Sequence, residues 1–120
     1  MLRIERAVRS TPTGVFMVDP TDTHISRRLL LFGQTNLDEV GKALGLTETA
    51  SRASVLVDIG ANIGTSTIPM LLTGRVKRAI AFEPEPKNFG ILSYNVHANG
   101  LDHEVSLHNL AVSDRNGTVE

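Results

Sequence analysis

A carboxylate and two glycines follow an apolar run near the middle of the 120-residue sequence, in the segment VLVDIGANIGTST, residues 55–67. Asp58 comes near the end of the run, and Gly60 and Gly64 bracket the loop after it. Glycine lets a chain leave a strand in a backbone conformation that other residues resist, and it lets a ligand lie against bare backbone. N–H groups at the start of the following helix can bind a carboxylate. The segment therefore predicts a loop that binds a small charged molecule.

A second carboxylate, Glu83, ends another apolar run, KRAIAFE, residues 77–83. In a parallel sheet the carboxyl ends of the strands form the edge at which ligands bind. We expect Asp58 and Glu83 to face one crevice there, with Glu83 accepting two hydrogen bonds from a ribose diol. A nucleoside with a small charged group at its other end fits this set. Taken singly, each carboxylate also has a structural interpretation, as a turn cap or a solvated turn residue.

Two nucleoside cofactors compete for this site. Dinucleotides carry a pyrophosphate and are bound by G-x-G-x-x-G, whereas this loop reads G-x-x-x-G and has Asp58 just ahead of it. An acid in that place repels a pyrophosphate and suits an ammonium or a sulfonium group. The pattern favours S-adenosyl-L-methionine, with its methionine end at the loop and its ribose on Glu83. A nicotinamide-dependent oxidoreductase half and a non-catalytic nucleoside-binding module remain as alternatives.

The elements that position these residues are three predicted strands with helices between them. SVLVDI (54–59), KRAIAFE (77–83) and EVSLHNLAV (104–112) predict parallel strands buried on both faces. One helix is expected from about Gly64 to Leu72 and another from Pro84 and Pro86 to Gly100. Pro69 lies inside the first of them, where it removes a backbone donor unless the helix starts late. Strand–helix–strand–helix–strand is half of a doubly wound α/β fold.

Upstream, the sequence predicts an N-terminal strand and a helical lead-in over residues 1–53, before the cofactor-binding half-domain of residues 54–120. TGVFMV, residues 13–18, predicts a strand. A helix from His24 to Phe32 should end at Gly33, and Asn36 should cap a second one that stops at Gly45. Residues 47–53 are polar and typical of a linker, and DRNG, residues 114–117, predicts a hairpin turn.

The bulk composition limits the partners and the kinds of site. A net charge of −1 and a pI near 6.4 predict no nucleic-acid partner. The absence of cysteine excludes disulfides and thiolate metal sites, and the four histidines are not at metal-ligand spacing, so no metal is predicted. Apolar runs fall far short of the roughly 20 residues of a membrane helix. The N-terminus has no apolar signal segment, which makes the cytoplasm the expected location.

Three segments together resemble the FkbM family of S-adenosylmethionine-dependent methyltransferases: VDIGANIGTST, AFEPEPKNFGILSYNVHANG and VSLHNLAVSDRNG. The resemblance covers about residues 15–120. It implies a Rossmann-like class I methyltransferase fold and transfer of a methyl group to a hydroxyl of a sugar or another small metabolite. It also implies that Asn95 and Asn99 brace their helix against neighbouring backbone.

The resemblance implies a set of cofactor-binding residues but no catalytic one. The set is Asp58, Gly60, Ala61, Asn62, Gly64, Glu83, Pro84, Asn109, Ala111 and Val112. Asp22 and His24 are the candidates for a general base. Family members continue with a K-x-D-x-E-G strand, whereas this sequence stops at Glu120. We therefore expect a truncated, cofactor-binding part of the enzyme, inactive alone, with an exposed sheet edge that permits self-association.

Overall fold

The computed structural model describes residues 3–45 and 54–118, and this part of the chain holds five strands and four helices. In chain order they are β1 (Ala7–Thr11), β2 (Gly14–Val18), α1 (Ile25–Phe32), α2 (Leu37–Gly45), β3 (Val55–Ile59), α3 (Thr67–Leu72), β4 (Arg78–Phe82), α4 (Pro86–Ala98) and β5 (Val105–His108). No helix among these described residues is long and apolar enough to cross a membrane. The predicted linker, residues 47–53, lies outside the described residues.

The central sheet is parallel and has the strand order β3-β4-β5. Ile59 pairs with Phe82, and Phe82 pairs with His108, so the three strands end at the same level. The rings of Phe82 and His108 stack with their centroids 4.9 Å apart. The register therefore places the residues after each strand along one edge, as predicted for the ligand-binding edge of a doubly wound sheet.

Helix α4 has start and stop signals that its sequence supplies. Glu85 caps it by accepting a hydrogen bond from the N–H of Asn88 at 2.6 Å, and Pro86 occupies the first turn, where no N–H is needed. Gly100 follows the helix in the left-handed conformation, with φ of 69°. The buried residues Leu92 and Val96 of this helix join the core that covers one face of the sheet.

Helix α3 begins at Thr67, three residues later than the predicted start at Gly64. Gly64 has φ of 93° and donates to the carbonyl of Ala61, so it closes the preceding loop instead of opening the helix. Pro69 consequently falls in the first turn of α3, where its missing N–H has no intrahelical partner to lose. The start predicted at about Gly64 is therefore too early, and the helix meets the condition, a late start, under which Pro69 costs no backbone hydrogen bond.

The prediction that the core strands are buried on both faces is wrong for β3. Val55, Val57 and Ile59 are 49%, 56% and 62% exposed, whereas Leu56 and Asp58 between them are half-buried. The helices α3 and α4 cover only the face that carries the buried Ala79 and Ala81 of β4. An apolar run predicts a strand, but its length does not say whether both faces are covered.

An antiparallel hairpin of β1 and β2 forms a further layer that packs against α4. Phe16 and Val18 of β2 are fully buried in the common core. Strand β2 confirms the predicted strand of residues 13–18, but β1 was not predicted. Its sequence AVRST has no alternation of apolar and polar residues, and most of its side chains are exposed.

The third core strand is shorter than predicted. Strand β5 ends at His108 rather than at residue 112, and residues 109–118 are exposed. Only residue 118 of the described residues follows DRNG, so the hairpin turn at residues 114–117 stays a prediction. Helix α1 ends as predicted at Gly33, whose φ is 64°.

Candidate functional site

The loop Gly60–Gly64 turns back on the end of β4 immediately after β3. The N–H groups of Gly60 and Ala61 both donate to the carbonyl of Phe82 at 2.9 Å. The φ angles of Gly60, Asn62 and Gly64 are 82°, 52° and 93°, all in the left-handed region. Glycine accepts such angles without strain, and asparagine is among the few other residues that do. The sequence GANIG is thus matched to the loop at each left-handed position.

The two glycines of the loop have different surroundings. A Cβ atom on Gly60 would meet no atom within 4 Å, so the space beside this residue is open. A Cβ atom on Gly64 would lie 2.8 Å from Ile68 Cδ1 and 3.1 Å from Leu92 Cδ1. Gly60 therefore leaves bare backbone that a ligand can approach, and Gly64 lets the loop pack closely against α3 and α4.

Glu83 follows β4 directly and is only 5% exposed. Its Oε2 accepts a hydrogen bond from the N–H of Asn62 at 2.8 Å, and its Oε1 accepts one from the N–H of Glu85 at 2.9 Å. A carboxylate has about four lone-pair sites, so about two remain for a ligand. Glu83 consequently ties the loop after β3 to the end of β4, a role that the spacing alone did not reveal.

Asp58 lies on the helix-facing side of β3 and is half-buried. Its Oδ2 accepts a hydrogen bond from the hydroxyl of Thr67, at 2.5 Å, at the start of α3. Thr67 is fully buried and was not among the predicted site residues. The structure therefore brings Asp58 and Glu83 to the ends of neighbouring strands and gives each a partner within the protein.

The remaining predicted residues divide into two groups. Asn109 lies beside the end of β4, where its Nδ2 donates to the carbonyls of Glu83 and Pro84 at 2.8 and 3.1 Å. Ala111 and Val112 are exposed and lie beyond the end of β5. The structure thus joins Asn109 and Pro84 to the Glu83 side of the site and does not place Ala111 or Val112 within the sheet edge.

Asn62 also lines a pocket of about 380 Å³ between the loop and the segment that follows β2. Asp19 and Lys87 form an ion pair in this pocket, and Asp19 is 7% exposed. Hydrogen bonds from Lys87 and Thr21 hold the pKa of the Asp19 carboxyl well below its ordinary value. Sequence reasoning missed this pair, although Asp19 directly follows an apolar strand, as a carboxylate at a ligand-binding edge often does.

The two candidate bases, Asp22 and His24, line the same pocket. Partial burial raises the pKa of Asp22, but hydrogen bonds from the N–H groups of Ser26 and His24 outweigh this and lower it overall. Asp22 therefore binds N–H groups at the start of α1 through both carboxylate oxygens and is a weak proton acceptor. No group of three or more metal-ligating side chains comes together in residues 3–45 and 54–118.

The comparisons with known proteins identify the fold. No family model and no curated protein matches the sequence. P. horikoshii TYW2 in complex with MeSAdo is 23% identical, with a TM-score of 0.68 over 94% of this chain and 39% of that chain. M. jannaschii TYW2 in complex with AdoMet is 23% identical, with a TM-score of 0.67 over 92% of this chain and 45% of that chain. aTrm5 in complex with tRNALeu is 19% identical, with a TM-score of 0.64 over 93% and 30%.

The chain has a Rossmann-like α/β fold. At these identities the likeness shows the fold alone, and it confirms the predicted α/β class with a parallel three-stranded sheet. The chain spans between 30% and 45% of the length of these three structures. The narrower resemblance to the FkbM family stays a prediction.

One prediction is overturned by these comparisons. The exclusion of a nucleic-acid partner, which rested on the net charge of −1, is wrong, because a structure of the same fold was solved with tRNALeu. Contacts to phosphates depend on where cations lie and not on the summed charge of one segment. A near-neutral segment of this fold therefore does not exclude nucleic acid.

Proposed function

We propose that this chain binds S-adenosyl-L-methionine and forms the cofactor-binding part of a methyltransferase. The observation that carries the proposal is the loop Gly60–Gly64, which leaves open backbone at Gly60 beside the buried carboxylate of Glu83. Two of the structures that share the fold were solved with AdoMet and with MeSAdo. The cofactor, when bound, supplies a methyl group on a cationic sulfur.

The residues of the loop edge fit the three parts of this cofactor. Asp58 offers a negative charge to the ammonium of the methionine end, and the open side of Gly60 lets that end lie against the backbone. Glu83 keeps lone pairs for the ribose hydroxyls after accepting its two backbone hydrogen bonds. Asn109 and Pro84 stand beside Glu83 on the side proposed for the adenine.

Calorimetric titration of the purified protein with S-adenosylhomocysteine and with NAD tests the cofactor. We expect S-adenosylhomocysteine to bind and NAD not to bind at the same concentration, because Asp58 and the G-x-x-x-G spacing oppose a pyrophosphate. Binding of NAD alone would establish the oxidoreductase alternative. Binding of neither ligand by a folded sample would contradict the proposal and favour a module without this cofactor.

For the acceptor we propose a hydroxyl group of a sugar or another small metabolite. The support is the resemblance of the segments around Asp58, Glu83 and Asn109 to the FkbM family. A nucleic-acid acceptor is the second candidate, and the observation that favours it is the shared fold with aTrm5, solved with tRNALeu. Of the two candidate bases we propose His24, because both carboxylate oxygens of Asp22 already accept hydrogen bonds from the N–H groups of His24 and Ser26.

Transfer of a radiolabelled methyl group separates the two acceptor classes. Because the cofactor-binding part alone is expected to be inactive, the full-length protein is incubated with methyl-labelled S-adenosylmethionine and with either a small-molecule extract or purified total tRNA. Base-stable label in a small neutral product supports the hydroxyl acceptor, and label in the tRNA supports the second candidate. Label in neither fraction, from a protein that binds S-adenosylhomocysteine, counts against both acceptors but not against cofactor binding.

A further inference from the structure

Asn95 of α4 contacts the loop Gly60–Gly64 as well as the β1–β2 hairpin. Its Nδ2 donates to the carbonyl of Ile63 at 2.9 Å and to the carbonyl of Met17 at 3.1 Å. Its Oδ1 accepts a hydrogen bond from the N–H of Met17 at 2.6 Å. The side chain is fully buried, so these bonds have no competition from water. One amide group thus joins the loop, the hairpin and the helix.

Asn99, four residues after Asn95 and at the C-cap of α4, provides an internal comparison. Its Oδ1 accepts from the N–H of Val15 at 2.9 Å, and its Nδ2 donates to the carbonyl of Val15 at 2.7 Å. Its other Nδ2 bond goes to the carbonyl of Asn95, in the last turn of α4. Val15 and Met17 are alternate residues of β2, so the two amides bind its edge much as a neighbouring strand would. The difference that matters here is the bond from Asn95 to Ile63.

That bond acts on the loop between two residues in the left-handed conformation. Ile63 lies between Asn62, with φ of 52°, and Gly64, with φ of 93°. Glu83 accepts from the N–H of Asn62 on one side, and Asn95 donates to the carbonyl of Ile63 on the other. Two successive residues are therefore fixed from two elements, and left-handed backbone persists only where its surroundings determine it.

We infer that Asn95 is a positioning residue for the cofactor-binding loop. It holds the carbonyl of Ile63 so that the loop is already formed before the cofactor binds. Because the same side chain binds β2, it also couples the packing of the hairpin to the affinity of the loop for the cofactor. The identity of the ligand rests on the proposed function, whereas the effect on the loop does not.

Hydrogen exchange of the loop amides in Asn95→Ala and Asn99→Ala tests the inference directly. Both variants lose two bonds to β2, and only the first loses the bond to Ile63. In Asn95→Ala we expect the Asn62 and Gly64 N–H groups to exchange about tenfold faster or more, because a buried hydrogen-bond partner is lost. In Asn99→Ala the same two groups should exchange near the wild-type rate. Equal rates in the two variants would overturn the inference.

The affinity for S-adenosylhomocysteine gives a second measurement in the same two variants. We expect about tenfold weaker binding in Asn95→Ala and little change in Asn99→Ala, because a loop that is not preformed must be ordered on binding. Where activity is measurable, KM for S-adenosylmethionine should rise while kcat at saturation is retained. A wild-type protein that binds no S-adenosylhomocysteine would contradict the proposed function, and the exchange comparison would still decide the role of Asn95.

A measurement on the wild-type protein keeps the inference testable if Asn95→Ala does not fold. The side-chain amide protons of Asn95 should exchange far more slowly than those of the exposed Asn116, and addition of S-adenosylhomocysteine should slow them further. Exchange of Asn95 as fast as that of Asn116 would show that the bond to Ile63 is not maintained, and the inference would be wrong.

Discussion

The N–H of Asn62 donates to Glu83 Oε2 at 2.8 Å, so the carboxylate proposed for the ribose also fixes the loop proposed for the methionine end. The same carboxylate accepts from the N–H of Glu85 through its other oxygen. Each carboxylate oxygen therefore has a backbone N–H partner, although the residue is only 5% exposed. A change at Glu83 therefore acts on two parts of the site together, and experiments must separate them.

Glu83→Gln is expected to weaken the preference for a complete ribose, because an amide oxygen forms a weaker hydrogen bond than a carboxylate oxygen. In the wild-type protein, S-adenosylhomocysteine should bind about tenfold or more tightly than its 2′-deoxyribose analogue, since a hydrogen bond to a carboxylate contributes about 1.5–3 kcal/mol. In Glu83→Gln this ratio of affinities should fall several-fold, because a hydrogen bond to a neutral group contributes only about 0.5–1.5 kcal/mol. Titration calorimetry with both ligands measures the ratio of their affinities. This ratio does not change if a disturbed loop weakens the binding of both ligands equally.

Glu85→Gln is the matched control for that experiment. Glu85 is the neighbouring carboxylate, it is exposed, and it caps α4 through Asn88. The ratio of affinities should stay at its wild-type value in this variant. A ratio unchanged in Glu83→Gln would show that Glu83 serves the loop alone and that the ribose assignment is wrong.

Alanine at the two loop glycines should have opposite signatures. Gly60→Ala places a methyl group in open space, so its stability loss should be only the roughly 1–2 kcal/mol of left-handed strain. Because that open space is where the ligand is proposed to lie, affinity for S-adenosylhomocysteine should fall by about tenfold or more. Gly64→Ala adds crowding against Ile68 and Leu92, with a total loss of about 2–4 kcal/mol. Urea unfolding and calorimetry measure the two quantities.

Gly74→Ala separates backbone strain from ligand contact. Gly74 has φ of 71° and nothing within 4 Å of an added Cβ atom, as at Gly60, but it lies after α3, away from the carboxyl edge of the sheet. Its stability loss should resemble that of Gly60→Ala, and its affinity should be unchanged. Equal affinities in Gly60→Ala and Gly74→Ala would contradict a ligand beside Gly60.

The sequence predicted the order of the core elements because each has a strong local signal. Apolar runs predicted β3 and β4, and Pro84, Pro86 and Gly100 predicted the ends of α4. Local signals also predicted where Asp58 and Glu83 lie along the sheet edge, since register follows once neighbouring strands are parallel.

The sequence could not predict which groups of the protein donate hydrogen bonds to those carboxylates. The bonds from Thr67 to Asp58 and from Asn62 to Glu83 depend on the late start of α3 and on the left-handed loop, which are properties of the packed structure. The exposure of β3 could not be predicted either, because an apolar run does not report what covers it. Strand β1 is stabilised by pairing with β2, and its own residues carry no periodic signal.

Asp58→Asn distinguishes a charge role from a capping role. The amide oxygen can still accept from the hydroxyl of Thr67, so stability should change little. Affinity for S-adenosylhomocysteine should fall by about fivefold or more, because an ammonium about 4 Å from a carboxylate gains roughly 1–4 kcal/mol. Affinity for 5′-methylthioadenosine, which lacks the ammonium, should not change.

Thr67→Val is the complementary variant. It keeps the size of a fully buried side chain and removes the hydroxyl that Asp58 accepts from, so the free energy of unfolding should fall by about 1–3 kcal/mol. If Asp58→Asn lowers stability as much as Thr67→Val and leaves both affinities intact, Asp58 is only a cap.

Asp19→Asn should destabilise the protein in a way that depends on pH. Asp19 is held in its charged form by Lys87 and by the hydroxyl and N–H of Thr21, which lower its pKa. A carboxyl whose pKa is lower in the folded state contributes stability that is fully present above its unfolded pKa, about 3.9, and is lost as the pH falls toward the folded value. At pH 7 the wild-type protein should therefore be more stable than Asp19→Asn, by about 1.5 kcal/mol or more.

The difference in free energy of unfolding between the wild-type protein and Asp19→Asn should narrow below about pH 4. Below that pH the wild-type carboxyl begins to bind a proton in the unfolded chain. Urea unfolding from pH 3 to pH 7 measures this difference, with Asp102→Asn as the control. Asp102 pairs with His97 on the surface, where ion pairs contribute little, so this variant should track the wild type. A gap between wild type and Asp19→Asn that is constant from pH 7 to pH 3 would show that the ion pair with Lys87 does not stabilise the fold.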